Sequence, residues 1–273
     1  MNEAELLFTE ILNCDRVSLY LKGDLRLDKD KSCFISLALE RRILGEPIQY
    51  ILGKTEFMGL DFRLTPDVFI PRPETEILVE TALKYVTSHQ SPVTSKKILD
   101  VGTGSGNIAI SLAKFLPQTE IFATDISKKT LEIASLNAKL NKVSGKIKFI
   151  QSDLFTDYPC LPDRQGLPIT DYDIIVSNPP YIITAEIDSL QPEISYEPRI
   201  AVDGGKDGLD FYRRIINESA SYLKLGGFLI MEMGFNQKEA IEDILQKSEN
   251  YKIIDVVGDY NNIERVLVAK RYG

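Results

Sequence analysis

The chain has 273 residues, 44% of them hydrophobic and 26% charged, with a formal net charge of −8. That is ordinary globular composition, enough for one large domain or two smaller ones. The acidic balance argues against a broad phosphate-binding surface, because duplex binding needs clustered Lys and Arg, so no direct stable nucleic-acid binding is expected; a local basic patch or a basic protein partner is still allowed.

Residues 1 to about 45 read as helical. Leu6, Leu7, Ile11 and Leu12 fall on one apolar face, and Phe34, Leu37, Ala38 and Ile43-Leu44 suggest a second helix stopped by Gly45-Glu46-Pro47. Residues 1–47 are therefore expected to form a small helical domain. From 48 to 70, Gln49-Tyr50-Ile51-Leu52-Gly53 and Glu56-Phe57-Met58-Gly59-Leu60-Asp61-Phe62 alternate around turn glycines, which predicts a β-hairpin. In Ile70-Pro71-Arg72-Pro73-Glu74-Thr75-Glu76 a proline and two glutamates suit a helix start, and the helix is expected over 74–87. The same segment could line a cleft between two domains. Residues 48–90 are read as hairpin and linker, with a polar boundary loop around Pro92.

From Lys97 the pattern turns to strand, helix, strand, helix. Strands are expected at 98–101, 121–124, 147–150, 172–176, 228–233, 253–257 and 266–269, and helices at 107–115, 128–140, 211–223 and 237–246. Seven strands in this alternation predict an α/β fold: a doubly wound, mostly parallel sheet over residues 91–273, with the last two strands paired antiparallel. Residues 158–170 read as an exposed insertion. Residues 182–210 form a long segment of little periodicity directly after the proposed site, and a substrate-covering role is expected for it.

Cys14, Cys33 and Cys160 are scattered, form no Cys-x-x-Cys pair and read as free thiols in a reducing compartment. With His89 as the single histidine, in a polar stretch, they make no zinc site of the usual kind, so no metal is expected. No apolar run approaches a membrane span, and Glu3 and Glu5 stand where a signal peptide would be basic; a cytoplasmic setting without a membrane partner is expected.

Two stretches carry chemistry. Gly102-Thr103-Gly104-Ser105-Gly106 follows a strand and opens a helix. Its glycines let the backbone turn sharply and a ligand come close, and the helix start can hold a phosphate or equally a carboxylate. Asn107 in the sixth position breaks the dinucleotide fingerprint G-x-G-x-x-G/A. Asp125, ending the next strand, can accept from both hydroxyls of a ribose. Asn178-Pro179-Pro180-Tyr181 then follows the strand ending at Ser177. Two prolines fix two φ angles and remove two donors. The carbonyls there, with the Asn178 side-chain oxygen, offer converging acceptors for a planar –NH2 group, and Tyr181 offers a ring face. A strand-ending turn uses the same Asn-Pro signal; the glycine turn and Asp125, in order at successive strand ends, weigh against that simpler reading.

Asp100-Val101-Gly102-Thr103-Gly104-Ser105-Gly106, Asp125 and Asn178-Pro179-Pro180-Tyr181 together resemble a class I S-adenosylmethionine-dependent methyltransferase acting on a planar nitrogen. More closely, the chain resembles the peptide chain release factor N5-glutamine methyltransferases of the HemK/PrmC type. The resemblance rests on Glu46-Pro47-Ile48-Gln49-Tyr50-Ile51-Leu52-Gly53, on Ile70-Pro71-Arg72-Pro73-Glu74-Thr75-Glu76, and on Glu197-Pro198-Arg199 with Asp203-Gly204-Gly205-Lys206-Asp207-Gly208-Leu209. It implies a Rossmann-like methyltransferase domain, S-adenosyl-L-methionine as cofactor, and as substrate the glutamine of the Gly-Gly-Gln loop in class I release factors, held in part by the front helical domain. It further implies that the glycine turn, Asp125, Asp153 and Leu154 contact the cofactor, as does Asn178. Asn178, Pro179, Pro180 and Tyr181 would clamp the substrate, with Asn178, Pro179 and Tyr181 catalytic, and Phe69 would wall the glutamine pocket. The Asn-Pro-Pro-Tyr stretch is shared with DNA adenine and other N-methyltransferases, so the exocyclic amine of a flipped adenine or guanine in nucleic acid is the rival substrate.

Overall fold

The computed structural model describes residues 2–21, 27–88, 96–156 and 171–273; His89, Cys160 and the 158–170 insertion lie outside the described residues. The front of the chain is helical. Helix α1 (Glu3–Leu12) starts on a capping box, in which Asn2 and Glu5 satisfy each other's backbone N–H, and α2 (Arg16–Leu21) follows it. Helix α3 (Lys29–Ile43) is capped by the Asp28 carboxylate. Leu7 and Ala38 pack with Ile48 and Ile51 in a small separate core.

Ile48 and Ile51 belong to α4 (Ile48–Leu52), which corrects the expected start of the hairpin. The Gln49–Leu52 run has no strand partner. Its apolar side chains bury against α1 and α3 at helical spacing, and Gly53, at φ +70°, ends the turn. The hairpin is only β1 (Lys54–Phe57) and β2 (Leu60–Arg63), joined at Met58-Gly59 with both φ positive, as a two-residue hairpin turn requires. It sits on the α/β half through buried Asn137, whose amide bonds both the N–H and the carbonyl of Arg63. Helix α5 (Thr75–Ser88) then buries Leu78, Val79 and Ala82 completely on the sheet.

The sheet has the seven strands and the mostly parallel, doubly wound order expected. They are β3 (Lys97–Val101), β4 (Glu120–Asp125), β5 (Ile147–Gln151), β6 (Tyr172–Ser177), β7 (Leu223–Glu232), β8 (Tyr251–Gly258) and β9 (Glu264–Arg271), in the spatial order β5-β4-β3-β6-β7-β9-β8. The first five are mutually parallel; β9 enters antiparallel between β7 and β8. Helices α6 (Asn107–Phe115), α7 (Lys128–Leu140), α8 (Arg199–Val202), α9 (Asp210–Ser219) and α10 (Lys238–Ser248) connect them. Alternate strand residues feed two cores: Ile98, Ile121, Ile174 and Ile230 face α5 and α6, and Leu99, Phe122, Ile175 and Leu229 face α9 and α10.

Helix α9 ends at Ser219, short of the expected 223, and β7 begins at Leu223 rather than 228. The apolar run Tyr222-Leu223-Lys224-Leu225 continues past the helix end, so periodicity hides the boundary; Leu223 pairs with Tyr172, and a register shift at Tyr172/Ile174 takes up the offset on the facing strand. Among the described residues no helix is long and apolar enough to cross a membrane.

The chain order reverses between β3 and β6: strands after β3 build outward on one side, and those after β6 on the other. Such a switch point opens a crevice at the carboxyl ends of the strands. The register Val101↔Ser177 puts Gly102 and Asn178 side by side on that edge.

Candidate active site

The carboxyl ends of β3, β4, β5 and β6 floor a cavity of ≈ 520 Å³. Its walls are the glycine turn, the linker at Phe69, Pro71 and Arg72, and the 182–210 segment at Ile194, Pro198 and Ile200. Gly102, Thr103, Gly104, Ser105, Asp125, Asp153, Leu154, Asn178, Pro179, Pro180, Tyr181 and Phe69 all line it. Gly106 does not. A Cβ there would meet Ile110 Cδ1 at 2.9 Å and Ala134 Cβ at 3.2 Å, so this glycine lets α6 and α7 pack closely.

The turn is shaped by Asp100. Its Oδ2 accepts from the Thr103 hydroxyl (2.6 Å) and from the Ala109 N–H (3.2 Å), and the N–H groups of Gly102 and Thr103 donate to the Thr124 carbonyl. Asp100 is fully buried, its Oδ1 has no hydrogen-bond partner, and burial pushes its pKa up to about 7 against the pull of those two donors. Gly102 (φ +75°) and Gly104 (φ +56°) have nothing within 4 Å of where a Cβ would stand. The backbone thus leaves open space that side chains would fill, a cradle that a ligand can enter closely. Asp125 accepts from Gly104 N–H (3.0 Å) and Ser127 N–H (2.9 Å), and burial raises its pKa. Its carboxylate is at the cavity wall, where ribose hydroxyls can donate to it. Asp153 pairs with Arg214 at 3.0 Å, and Leu154, at φ +53°, turns an apolar side chain into the same wall, fit to pack on a flat base.

Opposite the cradle, the Ser177 hydroxyl donates to the Val101 carbonyl (2.8 Å) and locks the two strand ends together. The Asn178 amide donates from Nδ2 to Thr75 Oγ1 at 3.0 Å. Among the described residues no donor reaches the Pro179 carbonyl. Tyr181 is held from behind. Its carbonyl accepts from Gln237 Nε2 (3.0 Å), and a Cβ on Gly204 or Gly208 would stand 2.7 Å from its Cα or 2.5 Å from its carbonyl oxygen. The Asp203–Gly208 stretch is therefore a collar that only glycine backbone can close around the residue after the two prolines. Burial pushes the Tyr181 phenol up to about 12, so it is neutral at physiological pH.

The 182–210 segment folds back on the site rather than running as an open loop. Ile182 and Asp203 form a β-bridge, and the turns 187–189 and 192–196 and helix α8 fill the rest. Its Glu197 side chain is fully buried and ion-pairs with Arg72 of the linker, whose guanidinium also lies 4.9 Å above the Phe69 ring. The segment also bonds to the front helices through Arg42–Glu193 (2.7 Å) and Tyr196 Oη to the Leu44 carbonyl (3.0 Å).

Three site features were not read from the sequence: Thr75, the Arg72–Glu197 pair, and Glu232, buried at the end of β7 close enough to Thr75 and Asn178 for both to lower its pKa, with no hydrogen-bond partner for its Oε2 among the described residues. One signal was present, an acidic residue inside the apolar run Phe228–Met233. Among the described residues no cluster of three His, Cys, Asp or Glu side chains is placed to hold a metal ion.

The comparisons agree with this geometry. A family model described as "Methyltransferase small domain" matches residues 74–191, and one described as "PrmC N-terminal domain" matches residues 1–53. A "Release factor glutamine methyltransferase" of Geobacter sulfurreducens is 40% identical over 266 residues, covering 97% of this chain and 87% of the relative. One of Moorella thermoacetica is 41% identical over 234 residues, covering 86% and 78%. A solved methyltransferase structure from Pyrococcus furiosus aligns with a TM-score of 0.53 at 17% identity, covering 90% of this chain and 100% of that one, a likeness of fold alone. With relatives 40% and 41% identical over 97% and 86% of its length, the chain belongs to the release factor glutamine methyltransferases, enzymes that take their methyl group from S-adenosylmethionine.

Proposed function

We propose that the protein methylates the side-chain amide nitrogen (N5) of the glutamine in the Gly-Gly-Gln motif of class I peptide chain release factors. The observation that carries this reading is the Asn178 amide. Its Nδ2 donates to Thr75, which leaves Oδ1 as an acceptor beside the Pro179 carbonyl in the cavity wall, which no donor among the described residues reaches. Two acceptors side by side match the two hydrogens of a primary amide.

An amide nitrogen is a poor nucleophile because its lone pair is delocalised into the carbonyl. Bound S-adenosylmethionine supplies a methyl group on a sulfonium, a strong electrophile. The protein therefore supplies placement. Asn178 Oδ1 and the Pro179 carbonyl each accept one amide hydrogen and turn the nitrogen toward the wall built by the glycine turn. Positioning of this kind is worth about 7–11 kcal/mol in favourable model reactions. The same acceptors favour positive charge growing on nitrogen, the inverse of an oxyanion hole, and the surplus amide proton then leaves to water. Tyr181 gives a ring face, Pro180 stiffens the clamp and Phe69 closes the glutamine pocket. Gly102, Gly104 and their neighbours Thr103 and Ser105 hold the methionine part of the cofactor, Asp125 the ribose, and Asp153 and Leu154 the adenine edge and face.

In this reading residues 1–47 are a domain that holds the release factor, 48–90 a connector and 91–273 the transferase domain. The front helices support it with exposed apolar side chains, among them Leu21, Leu37, Ile43 and Leu44. A substrate from the translation machinery also goes with the cytoplasmic setting expected from the sequence.

The test is methyl transfer from labelled S-adenosylmethionine to a release factor, to the same factor with its Gly-Gly-Gln glutamine changed to alanine, and to bulk DNA and RNA. Label in the intact factor alone is expected. Label in nucleic acid alone would keep the clamp and overturn the substrate.

A further inference from the structure

The mechanism above needs the oxygen end of the Asn178 side chain, not the nitrogen end, to face the substrate. The two ends of a carboxamide have nearly the same shape, so only hydrogen-bond partners choose between them. Thr75 touches Asn178 directly, at 3.0 Å, but a hydroxyl both donates and accepts and cannot choose by itself. What lies behind Thr75 decides. The Glu232 carboxyl group, 3% exposed at the end of β7, stands beside both: the register Ser177↔Met231 puts Glu232 next to Asn178, Thr75 and Asn178 both pull its pKa down, and among the described residues its buried Oε2 has no hydrogen-bond partner. An ionised carboxylate only accepts. Once the Thr75 hydroxyl donates to it, only lone pairs remain toward Asn178, and the NH2 end must turn inward.

We propose that Glu232 is a positioning residue of the methyl transfer, acting through Thr75 to hold Asn178 with Oδ1 toward the substrate. The inference rests on the amide-methylating reading given above. The arrangement also polarises the clamp, since an amide donating to a hydroxyl that itself donates to a carboxylate carries more negative charge on its oxygen. It gives Thr75, in the Pro-Glu-Thr-Glu stretch, a reason to be packed against the Asn-Pro-Pro-Tyr stretch.

The surroundings set when the device works. Burial raises the Glu232 pKa to about 7, Thr75, Asn178 and Arg265 pull it down, and Glu74 pushes it up. Arg265 of β9 is itself paired with Asp259 at 3.1 Å. Tyr212 of α9 donates to the Glu232 backbone carbonyl at 2.9 Å, and its phenol and that of Tyr181 are pushed up by burial and stay neutral. Above neutrality Glu232 is charged and Asn178 is held. As pH falls through about 7 the carboxyl gains a proton and becomes a donor as well, Thr75 is released from its fixed role, and the amide is free to turn over.

The experiment measures kcat at saturating cofactor and release factor from pH 6 to pH 9, for wild type, Glu232→Gln, Thr75→Val, Thr75→Ser and Asn178→Ala, with cofactor affinity by calorimetry as the control for folding. Wild type is expected to lose turnover on the acid side with a midpoint near 7. Glu232→Gln and Thr75→Val are expected to lose about 10- to 100-fold of the alkaline plateau, within the range for one aimed hydrogen bond in a transition state. Both should lack the acid limb and bind cofactor normally, and Thr75→Ser should regain activity. In an Asn178→Ala background, Glu232→Gln should cost nothing further. A Glu232→Gln enzyme that keeps the wild-type acid limb, or whose loss simply multiplies with that of Asn178→Ala, overturns the proposal while leaving the substrate standing. A wild type that does not label the release-factor glutamine overturns the reading on which the proposal rests.

Discussion

Replacing Arg72 by leucine should strand a buried charge and do so in a pH-dependent way. Glu197 sits with its side chain fully buried between the linker and the 182–210 segment, and Arg72 is its one ion-pair partner among the described residues; otherwise it has the Ile70 N–H at 3.5 Å. Burial already raises the Glu197 pKa, and the Arg72 charge is the main influence holding it down. Removing one partner of a buried pair typically costs 3–5 kcal/mol. Arg72 is 31% exposed, so part of that interaction is screened, and about 2–3 kcal/mol at pH 8 is the expected loss. The sign then follows from linkage. In the variant the folded-state pKa rises further above that of the unfolded chain, so the penalty is largest when the group is forced to ionise and shrinks as pH falls through the folded value, by about 1.4 kcal/mol per pH unit. Urea unfolding at pH 8 and pH 5.5 reads this directly. The Arg72→Leu deficit should at least halve at the lower pH, and Arg72→Leu/Glu197→Met should recover most of it at pH 8. A deficit of equal size at both pH values, or a double variant as unstable as the single, would refute the buried-charge argument.

Asn178→Ala should lower turnover by about 100-fold or more while cofactor affinity stays near wild type, as calorimetry and steady-state kinetics together will show; an equal loss of both would sink the clamp. Gly104→Ala should keep the fold and lose cofactor, since its Cβ points into open space and its φ is +56°, whereas Gly106→Ala should lower stability through contact with Ile110 and Ala134; binding and melting curves separate the two. Asp100 and Glu232, both raised to about 7 by burial, bind protons more tightly in the folded than in the unfolded chain. The cofactor-free protein should therefore melt at a higher temperature at pH 6 than at pH 8, with the contribution lost as pH rises through 7, and Glu232→Gln should reduce that difference.

The sheet was legible because each strand is a short apolar run closed by a chemistry-bearing residue: Asp125 on β4, Asp153 just past β5, Asn178 just past β6. Strand order follows from the alternation with helices. What the local pattern misjudged was set by tertiary partners. Gln49–Leu52 alternates like a strand, yet it packs as a helix because α1 and α3 offer a face and no strand offers a ladder. The glycine turn was legible as a motif, but its third glycine serves helix packing, a distinction that depends on where Ala134 of a later helix lies. Thr75 and Glu232 were beyond reach for the same reason: 157 positions separate them in sequence, and only the neighbouring positions of β6 and β7 bring both to Asn178.

The proposed clamp is generic chemistry, since two acceptors and a ring face suit any planar amine. Selectivity has to come from what encloses them. Here the enclosing wall is contributed by Phe69 and Arg72 of the linker and by Ile194, Pro198 and Ile200 of the 182–210 segment. That segment is fixed at three points: to Tyr181 through the glycine collar, to the linker through Arg72–Glu197, and to the front helices through Arg42–Glu193 and Tyr196–Leu44. A substrate protein resting on the front helices would therefore press on the same segment that covers its glutamine. Cutting the third tie while sparing the other two separates recognition from chemistry. Arg42→Ala with Tyr196→Phe should raise KM for the release factor several-fold through lost front-helix alignment, with kcat and cofactor affinity held. If kcat falls instead and KM does not move, those contacts shape the catalytic pocket rather than present the substrate.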